Sequence, residues 1–515
     1  MRISRRAVLK GLAVAPALGF APRVLAQRPA PSIDPGPFQA TRASLAAWQI
    51  PDWFRDAKFG IWAHWGPQSS VEAGDWYARN MYMEGSAQYK HHVATYGHPS
   101  KVGFKDLIPR WKAERFDPAA LMALYKKAGA KYFMSMAVHH DNFDLWDSAH
   151  TRWNAVGMGP KRDIVGAWAE AARREGLRFG VSDHLWISYK WFSTCKGHDA
   201  AGPMAGMPYD GVLKEFADLY HDSPGVMKLD WDDSGIPDAW KQQWFLRIRD
   251  LVDKYDPDLL YCDGPIPFED TGLAMLAHLY NRRAARNGGH ADAIYTSKRR
   301  EDADAGTCVF DVERGVVETI WPRPWQTDTC IGHWHYERGL KYKSPKIVID
   351  MLADIVSRNG NLMLNFPLPA SGMLDDEELK VLSAVTDWMG VNSEAIYSTR
   401  PWSIFGDGPS TAKAPSGASS SFNEEKRAEL SPEDVRFTTR GDVLYAVVMG
   451  WPQGQAVIPS LAEGGPRGVR RVQHVEWLGA SGSPTFAQDQ ASLRVQLPAR
   501  PPSEHAIVLK VHGVI

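Results

Sequence analysis

Asp258-Leu259-Leu260-Tyr261-Cys262-Asp263-Gly264 is a short apolar run that stops at a carboxylate followed by glycine. In an α/β protein such a run reads as a buried parallel strand, and a carboxylate at its C-terminal end stands at the mouth of a barrel, where chemistry is kept. Asp263 is therefore the first catalytic candidate; the competing role for such a residue is to cap the turn before Gly264. Three more apolar runs end in the same manner: Ile61-Trp62-Ala63-His64-Trp65-Gly66, Lys131 to Val138 running into His139-His140-Asp141, and Thr307-Cys308-Val309-Phe310-Asp311-Val312-Glu313. Carboxylates, imidazoles and indoles gathered in one pocket suit a sugar, because aromatic faces stack on pyranose C–H surfaces while the polar groups bind hydroxyls.

Working outward, the segment from about Ile50 to Asn392 alternates short β-rich runs with helical ones. Asp163 to Gly176 opens with an acid, closes at a glycine and puts Ile164, Val165, Trp168, Ala169 and Ala172 on one face, which predicts an amphipathic helix. Arg178 to Ser182, Leu259 to Cys262, Ala293 to Thr296, Thr307 to Val312 and Asn361 to Phe366 read as strands; Trp240 to Tyr255, Pro345 to Arg358 and Asp375 to Val391 read as helices. This alternation predicts an α/β fold closed as a (β/α)-type, TIM-like barrel, although the pattern does not yield eight strands. Gly406 to Ser421 is rich in Gly, Pro, Ser and Ala without periodicity and predicts a loop or flexible linker. Beyond it, Val435 to Thr439, Val443 to Met449, Gln473 to Trp477, Leu493 to Leu497 and Ala506 to Val511 are short β-type runs between turn residues, which predicts a C-terminal antiparallel β-sandwich that packs rather than catalyses.

The first residues read as an address. Ser4-Arg5-Arg6-Ala7-Val8-Leu9-Lys10, an uncharged stretch from Gly11 to Ala21 and Val24-Leu25-Ala26 form a twin-arginine signal peptide over 1–26, with cleavage expected after Ala26. The stretch is too short to span a bilayer. The domain plan is thus a signal at 1–26, a barrel at 27–395 and a sandwich at 396–515, with a periplasmic or secreted location. Cleavage removes Arg2, Arg5, Arg6, Lys10 and Arg23 and no acid, so the mature chain is more acidic than the −1 of the whole sequence. A mildly acidic chain without a basic block argues against nucleic acid, and no later run suits membrane insertion. Cys195, Cys262, Cys308 and Cys330 lack a metal-type spacing, and two of them sit in strand-like runs, which favours buried free thiols over bridges.

Longer motifs carry a family resemblance. Trp53 to Gly66 followed by Gly74-Asp75-Trp76-Tyr77-Ala78-Arg79-Asn80-Met81-Tyr82 resembles the opening of the α-L-fucosidases of glycoside hydrolase family 29. Gly129 to Tyr132 through His139-His140-Asp141-Asn142-Phe143, Leu145 to Ser148, Lys161 to Val165, Val356 to Asn365 and Val391 to Tyr397 are similar to that family as well. The resemblance runs from about Trp53 to Trp402 and implies an irregular barrel followed by a β-sandwich. It also implies a retaining exo-acting hydrolase of terminal α-L-fucose on oligosaccharides or glycoconjugates, without a cofactor. On that likeness Asp263 is the nucleophile, and His64, Asp75, Trp76, His139 and His140 hold the sugar. Glu313 is expected as the acid/base; Asp311, Glu318 and Glu301 are rival donors, and pairing of Glu313 with Arg314 or Arg338 is its non-catalytic role.

The departures from the family pattern are specific. Asp75 stands where Glu is usual, Ser182-Asp183-His184-Leu185 where a Tyr pair is common, Tyr261 where Trp is usual, and Lys298 near a usual Arg. Asp183, His184, Tyr261, Lys298 and Trp325 are accordingly further candidates for sugar contact. Together with the Gly- and Pro-rich insertion from Gly197 to Asp210, these differences suggest a divergent subgroup with its own leaving-group side. Two other readings stay open: a catalytically inactive, lectin-like binder of fucosylated glycans, and a metal-dependent barrel hydrolase using His139-His140-Asp141.

Overall fold

A computed structural model describes residues 31–413, 421–427 and 429–515; the signal-peptide reading therefore lies outside the described residues. Eight parallel strands close into a barrel in chain order. They are β1 (Phe59–Ala63), β2 (Tyr132–Val138), β3 (Arg178–Asp183), β4 (Leu259–Cys262), β5 (Ile294–Ser297), β6 (Val309–Glu313), β7 (Trp325–Cys330) and β8 (Gly360–Asn365). Closure comes from β1 pairing in parallel with both β2 and β8. The expected helix is present as Ile164–Arg174: Asp163 accepts a hydrogen bond from the Gly166 amide, and Gly176 ends the turn at φ 71°. Its buried face includes the five residues the periodicity selects, with Trp168 wedged against Phe116 and Phe133 at ring distances of 4.7 Å. Burying one such indole contributes roughly 2–3 kcal/mol.

One strand was not legible. In Trp325-Gln326-Thr327-Asp328-Thr329-Cys330 the alternation is polar, so β7 reads as a loop. Gln326 and Asp328 point into the barrel and are satisfied there: Tyr132 Oη donates to Gln326 (2.9 Å), Gln326 Nε2 to Asp311 (2.7 Å) and Tyr261 Oη to Asp328 (2.8 Å). A barrel interior is normally filled by layers of branched apolar side chains. Here the upper layers are polar and lead directly to the mouth.

The C-terminal unit holds β9 (Arg400–Asp407), β10 (Val435–Arg440), β11 (Val443–Val448), β12 (Gln455–Ile458), β13 (His474–Trp477), β14 (Phe486–Gln488), β15 (Leu493–Gln496) and β16 (Ile507–His512). They form a five-stranded sheet, ordered β13-β16-β11-β10-β9, and a three-stranded sheet, β12-β15-β14, joined by antiparallel pairs. The expected flexible linker is corrected in its first half. Gly406 and Asp407 close strand β9, where Gly406 faces Arg436 of β10, and Pro409–Lys413 is a short 3-10 helix. Glycine at 406 is demanded by the approach of the Val435 carbonyl, 2.4 Å from where a Cβ would stand; turn-type composition here serves close packing. Residues 414–420 lie outside the described residues. All four cysteines are buried free thiols.

A buried ion cluster seals barrel to sandwich. Asp354, on the helix Pro345–Ser357, receives Arg358 (3.2 Å) from the end of that helix, Arg427 from the β9–β10 connection and Arg436 from β10. Burial alone would raise its carboxyl, but the three guanidinium charges hold it far below the ordinary carboxylate range. Removing one partner of a buried cluster strands the others without compensation, at a cost of about 3–5 kcal/mol. Asp354→Ala is therefore expected to lower the urea midpoint of unfolding markedly; an unchanged midpoint would show the seal to be dispensable.

Candidate active site

The sequence candidates cluster because strand direction is uniform. In a parallel barrel every C-terminal strand end lies at one mouth. His64 follows β1, His139 and His140 follow β2, His184 follows β3, Asp263 follows β4, Lys298 follows β5, and Glu313 ends β6. A cavity of about 930 Å³ opens there, lined by His64, Asp75, Trp76, His139, His184, Tyr261, Asp263, Lys298 and Glu313 among others. Gly264, at φ 154°, is forced by proximity: a Cβ would lie 2.7 Å from the Trp186 ring, whose Nε1 donates to the Asp263 carbonyl at 2.8 Å. The turn is thereby pinned from outside, and the Asp263 carboxylate is left to face the cavity.

Lys298 is the electrostatic centre. Its ammonium lies 3.2 Å from Glu313 Oε2, Asp311 Oδ1 and Asp328 Oδ2, and 3.8 Å from Asp263 Oδ1. The side chains of Asp263, Lys298 and Glu313 keep 17, 16 and 18 % exposure, while Asp311 and Asp328 keep 0 and 1 %; of the five only Asp311 is off the cavity lining. Burial would raise the Asp263 carboxyl, yet the His140 hydrogen bond and the charges around it hold it well below the ordinary carboxylate range. His140 Nε2 approaches Asp263 Oδ2 at 3.3 Å. His184 is itself pushed down to about 3 by burial and is uncharged at neutral pH, so Lys298 is the persistent cation facing Asp263. Glu313 moves the other way: burial, against the pull of Lys298 and with repulsion from Asp263 and Asp328, pushes it up to about 7. Asp311 is also raised, well above the ordinary carboxylate range, by burial and by Asp328. Two carboxyl groups pushed apart in this way are an acid/base signature.

Behind them lies a nest of imidazoles. The His64 ring stands 5.0 Å from His139, 5.0 Å from His184 and 4.7 Å from His335. Burial and neighbouring imidazoles push His64 and His139 well below the usual histidine value, so both are neutral. Both ring nitrogens of His64 and of His335, and Trp62 Nε1, are buried without a hydrogen-bond partner among the described residues. Such orphaned groups in a cavity wall are what ligand hydroxyls satisfy.

Several expectations need correction. Trp325 is not at the mouth: it begins β7, at the opposite end of the barrel, with its indole packed on Gly360 and its Nε1 donating to the Arg358 carbonyl. Asp183 ends β3 but points away; its oxygens accept from the Leu185 amide (2.7 Å) and Trp244 Nε1 (2.7 Å). His140 does not line the cavity and instead supports Asp263 from behind. Asp75 does line it, but its oxygens accept from the amides of His335 (2.6 Å) and Trp334 (3.2 Å), so it orders that loop. The 197–210 insertion does not contribute to the lining.

His139-His140-Asp141 does not converge on one ion either, because His140 is engaged with Asp263 and the His184 carbonyl. At this site the trio whose ligand atoms lie within 4.8 Å of one another is His64, His139 and His335; a second such group among the described residues, Asp34, Asp253 and His278, lies off the cavity lining. Among the rival donors, Glu301 and Glu318 are exposed away from the cavity and Asp311 is sealed inside the barrel. Arg338 pairs with Glu72, and Arg314 Nη2 donates to the Gly332 carbonyl, so Glu313 is left to Lys298.

Asp328, Trp334, His335 and Glu337 were missed, since the unrecognised β7 hid the loop that follows it. The signal available was the run His333-Trp334-His335-Tyr336-Glu337, dense in the same residue types. Glu337 lines the rim, where its carboxylate pairs with His333 at 2.8 Å. Trp76, Trp231 and Phe422, all on the lining, have left-handed φ values of 57°, 53° and 55°. For bulky residues this costs about 1–3 kcal/mol each, and such strain concentrates at functional sites.

A closed parallel barrel with two unlike carboxyl groups at its mouth, in a pocket of tryptophan and histidine, defines the glycoside hydrolase class of site. The model of the family described as Alpha-L-fucosidase matches residues 25–394, and the chain belongs to that family. It is 25% identical over 495 residues to human tissue alpha-L-fucosidase, covering 92% of this chain and 91% of that protein. It is 27% identical to human plasma alpha-L-fucosidase, over 90% and 88% respectively. Its fold is similar to that of Thermotoga maritima alpha-fucosidase in complex with fucose, with a TM-score of 0.70, 24% identity, and 92% of this chain and 100% of that chain covered.

The charge arrangement makes a direct prediction. A carboxyl titration assigned by its loss in Glu313→Gln is expected near pH 7 in carbon-detected NMR. In Lys298→Met it moves to higher pH, because the ammonium stabilises the ionised form. A shift to lower pH would contradict the geometry.

Proposed function

We propose that this protein hydrolyses terminal α-L-fucosides with retention of configuration, with Asp263 as nucleophile and Glu313 as general acid/base. The observation that carries the assignment is the pairing of these two groups across one ammonium, with protonation tendencies driven in opposite directions. One ammonium within reach of both keeps the carboxyl groups close, as the short separation of a retaining pair, about 5–5.5 Å, requires. Neutral His64 offers a donor and an acceptor to sugar hydroxyls, His139, whose Nδ1 is bonded to Gln68 Nε2 at 2.9 Å, offers its Nε2, and Trp62 and Trp76 offer apolar faces.

In the first step the protonated Glu313 gives its proton to the glycosidic oxygen as Asp263 attacks the anomeric carbon. The C–O bond to the leaving group breaks, and a fucosyl ester forms. In the second, the Glu313 carboxylate takes a proton from water, whose oxygen attacks the anomeric carbon and releases Asp263. His140 and Lys298 keep Asp263 ionised for the first step. The twin-arginine pattern at Ser4 to Lys10 supports export to the periplasm or beyond, with a mature chain that starts at Gln27.

The test of the catalytic pair is one set of variants. Asp263→Gly is expected to lose nearly all turnover without loss of fold, and NMR of the wild-type reaction is expected to show α-fucose first. Because Glu313 acts protonated, kcat/KM is full below pH 7 and falls as pH rises through about 7. Glu313→Ala removes that limb, spares activated aryl fucosides in the first step, and is rescued by azide, which displaces Asp263 from the β-linked ester to give α-fucosyl azide. β-Fucose as the first product, or azide rescue in Glu337→Ala instead, would overturn the assignment.

A further inference from the structure

We propose that Trp231 and Phe422 form a platform for the leaving-group sugar, and that this pair sets which fucosides the enzyme prefers. The proposal rests on the fucosidase reading and deepens it. The floor of the cavity, from Trp62 and His64 to His139 and His184, is buried and takes the terminal residue. The next sugar must lie outward, beside Glu313, which protonates the oxygen linking the two. At the rim of the same cavity stand two large apolar side chains, Trp231 at 42 % and Phe422 at 61 % exposure.

Neither is a loosely held surface residue. Trp231 sits in a left-handed backbone between two aspartates, and the Lys190 ammonium, itself buried, holds both of them: Asp230 Oδ1 at 2.6 Å and Asp232 Oδ1 at 2.6 Å. Asp232 also accepts from the Ser234 amide at 2.9 Å. The indole leans on the pocket wall, 6.0 Å from the Trp76 ring and 5.7 Å from His140. A buried cation is being used to keep an exposed tryptophan at this place.

Phe422 comes from the β9–β10 connection of the sandwich, yet its amide donates to the Glu313 carbonyl at 2.7 Å. The next two residues lock it there. Asn423 Oδ1 accepts from the Val316 amide (3.1 Å) while its Nδ2 donates to the Val316 carbonyl (2.9 Å), and Glu424 binds Lys343 (2.6 Å) and Thr329 Oγ1 (2.5 Å). The second domain thus anchors an aromatic residue, through its backbone, to the strand end that carries the acid/base. Asn80, Gln88 and Arg299 supply polar groups around the same rim. Aromatic faces with hydroxyl-binding groups beside them fit a pyranose as the leaving group.

The experiment compares kcat/KM for α-L-fucosyl fluoride, whose leaving group is a single atom, with that for α-1,2-, α-1,3-, α-1,4- and α-1,6-linked fucosyl disaccharides. In Trp231→Ala and in Phe422→Ala, the preference for the best disaccharide over the fluoride is expected to fall at least tenfold, mostly as a raised KM. Trp231→Phe and Phe422→Tyr, which keep an aromatic face, are expected to restore most of it. Equal losses on both substrate types, no loss on either, or a wild type that cleaves the fluoride but no disaccharide would overturn the platform. A wild type inert toward the fluoride would overturn the fucosidase reading itself, and the platform with it.

Discussion

The structure turns on the Lys298 ammonium and the four carboxyl groups around it. One cation cannot neutralise Asp263, Asp311, Glu313 and Asp328 together, and unit charges about 4 Å apart interact by ~4 kcal/mol at an effective dielectric of about 20. The set therefore keeps protons on the members least able to hold charge, and the fold decides which those are. Asp311, sealed in the barrel, and Glu313, flanked by Asp263 and Asp328, are pushed up; Asp263, backed by His140, is pushed down. The difference between Asp263 and Glu313 that the proposed mechanism uses is thus a by-product of packing five ionisable groups at one barrel end.

That arrangement explains the unusual interior. A barrel strand such as β7 pays for Gln326 and Asp328 only because Tyr132, Tyr261, Asp311 and Lys298 from other strands meet them. Buried polar networks of this kind are stable when every member is satisfied. The network also fixes the tilt of the Asp328 carboxylate and, through Lys298, the position of Glu313.

The sandwich contributes more than stability. The seal of Asp354 with Arg358, Arg427 and Arg436 orients the β9–β10 connection, and that connection runs on to Phe422 and Glu424 at the cavity rim. A domain whose own sequence carries no cluster of chemical groups thereby touches the end of β6 at Glu313.

What the sequence by itself determined is the local part. Apolar runs with β-type residues placed seven of the barrel strands, caps and periodicity placed the helix Ile164–Arg174, and strand-end chemistry singled out His64, His139, Asp263 and Glu313. These readings depend only on neighbours in the chain. Tertiary structure decided what depends on distant partners: that β7 is a strand at all, that Trp325 lies at the wrong end, and that Asp183 is consumed by Leu185 and Trp244. It also decided that His335, Asp328, Trp231 and Phe422 belong to the site. A polar side chain reads as a loop residue until the fold supplies its partner, and the direction of a side chain is set by packing, which no short window of sequence contains.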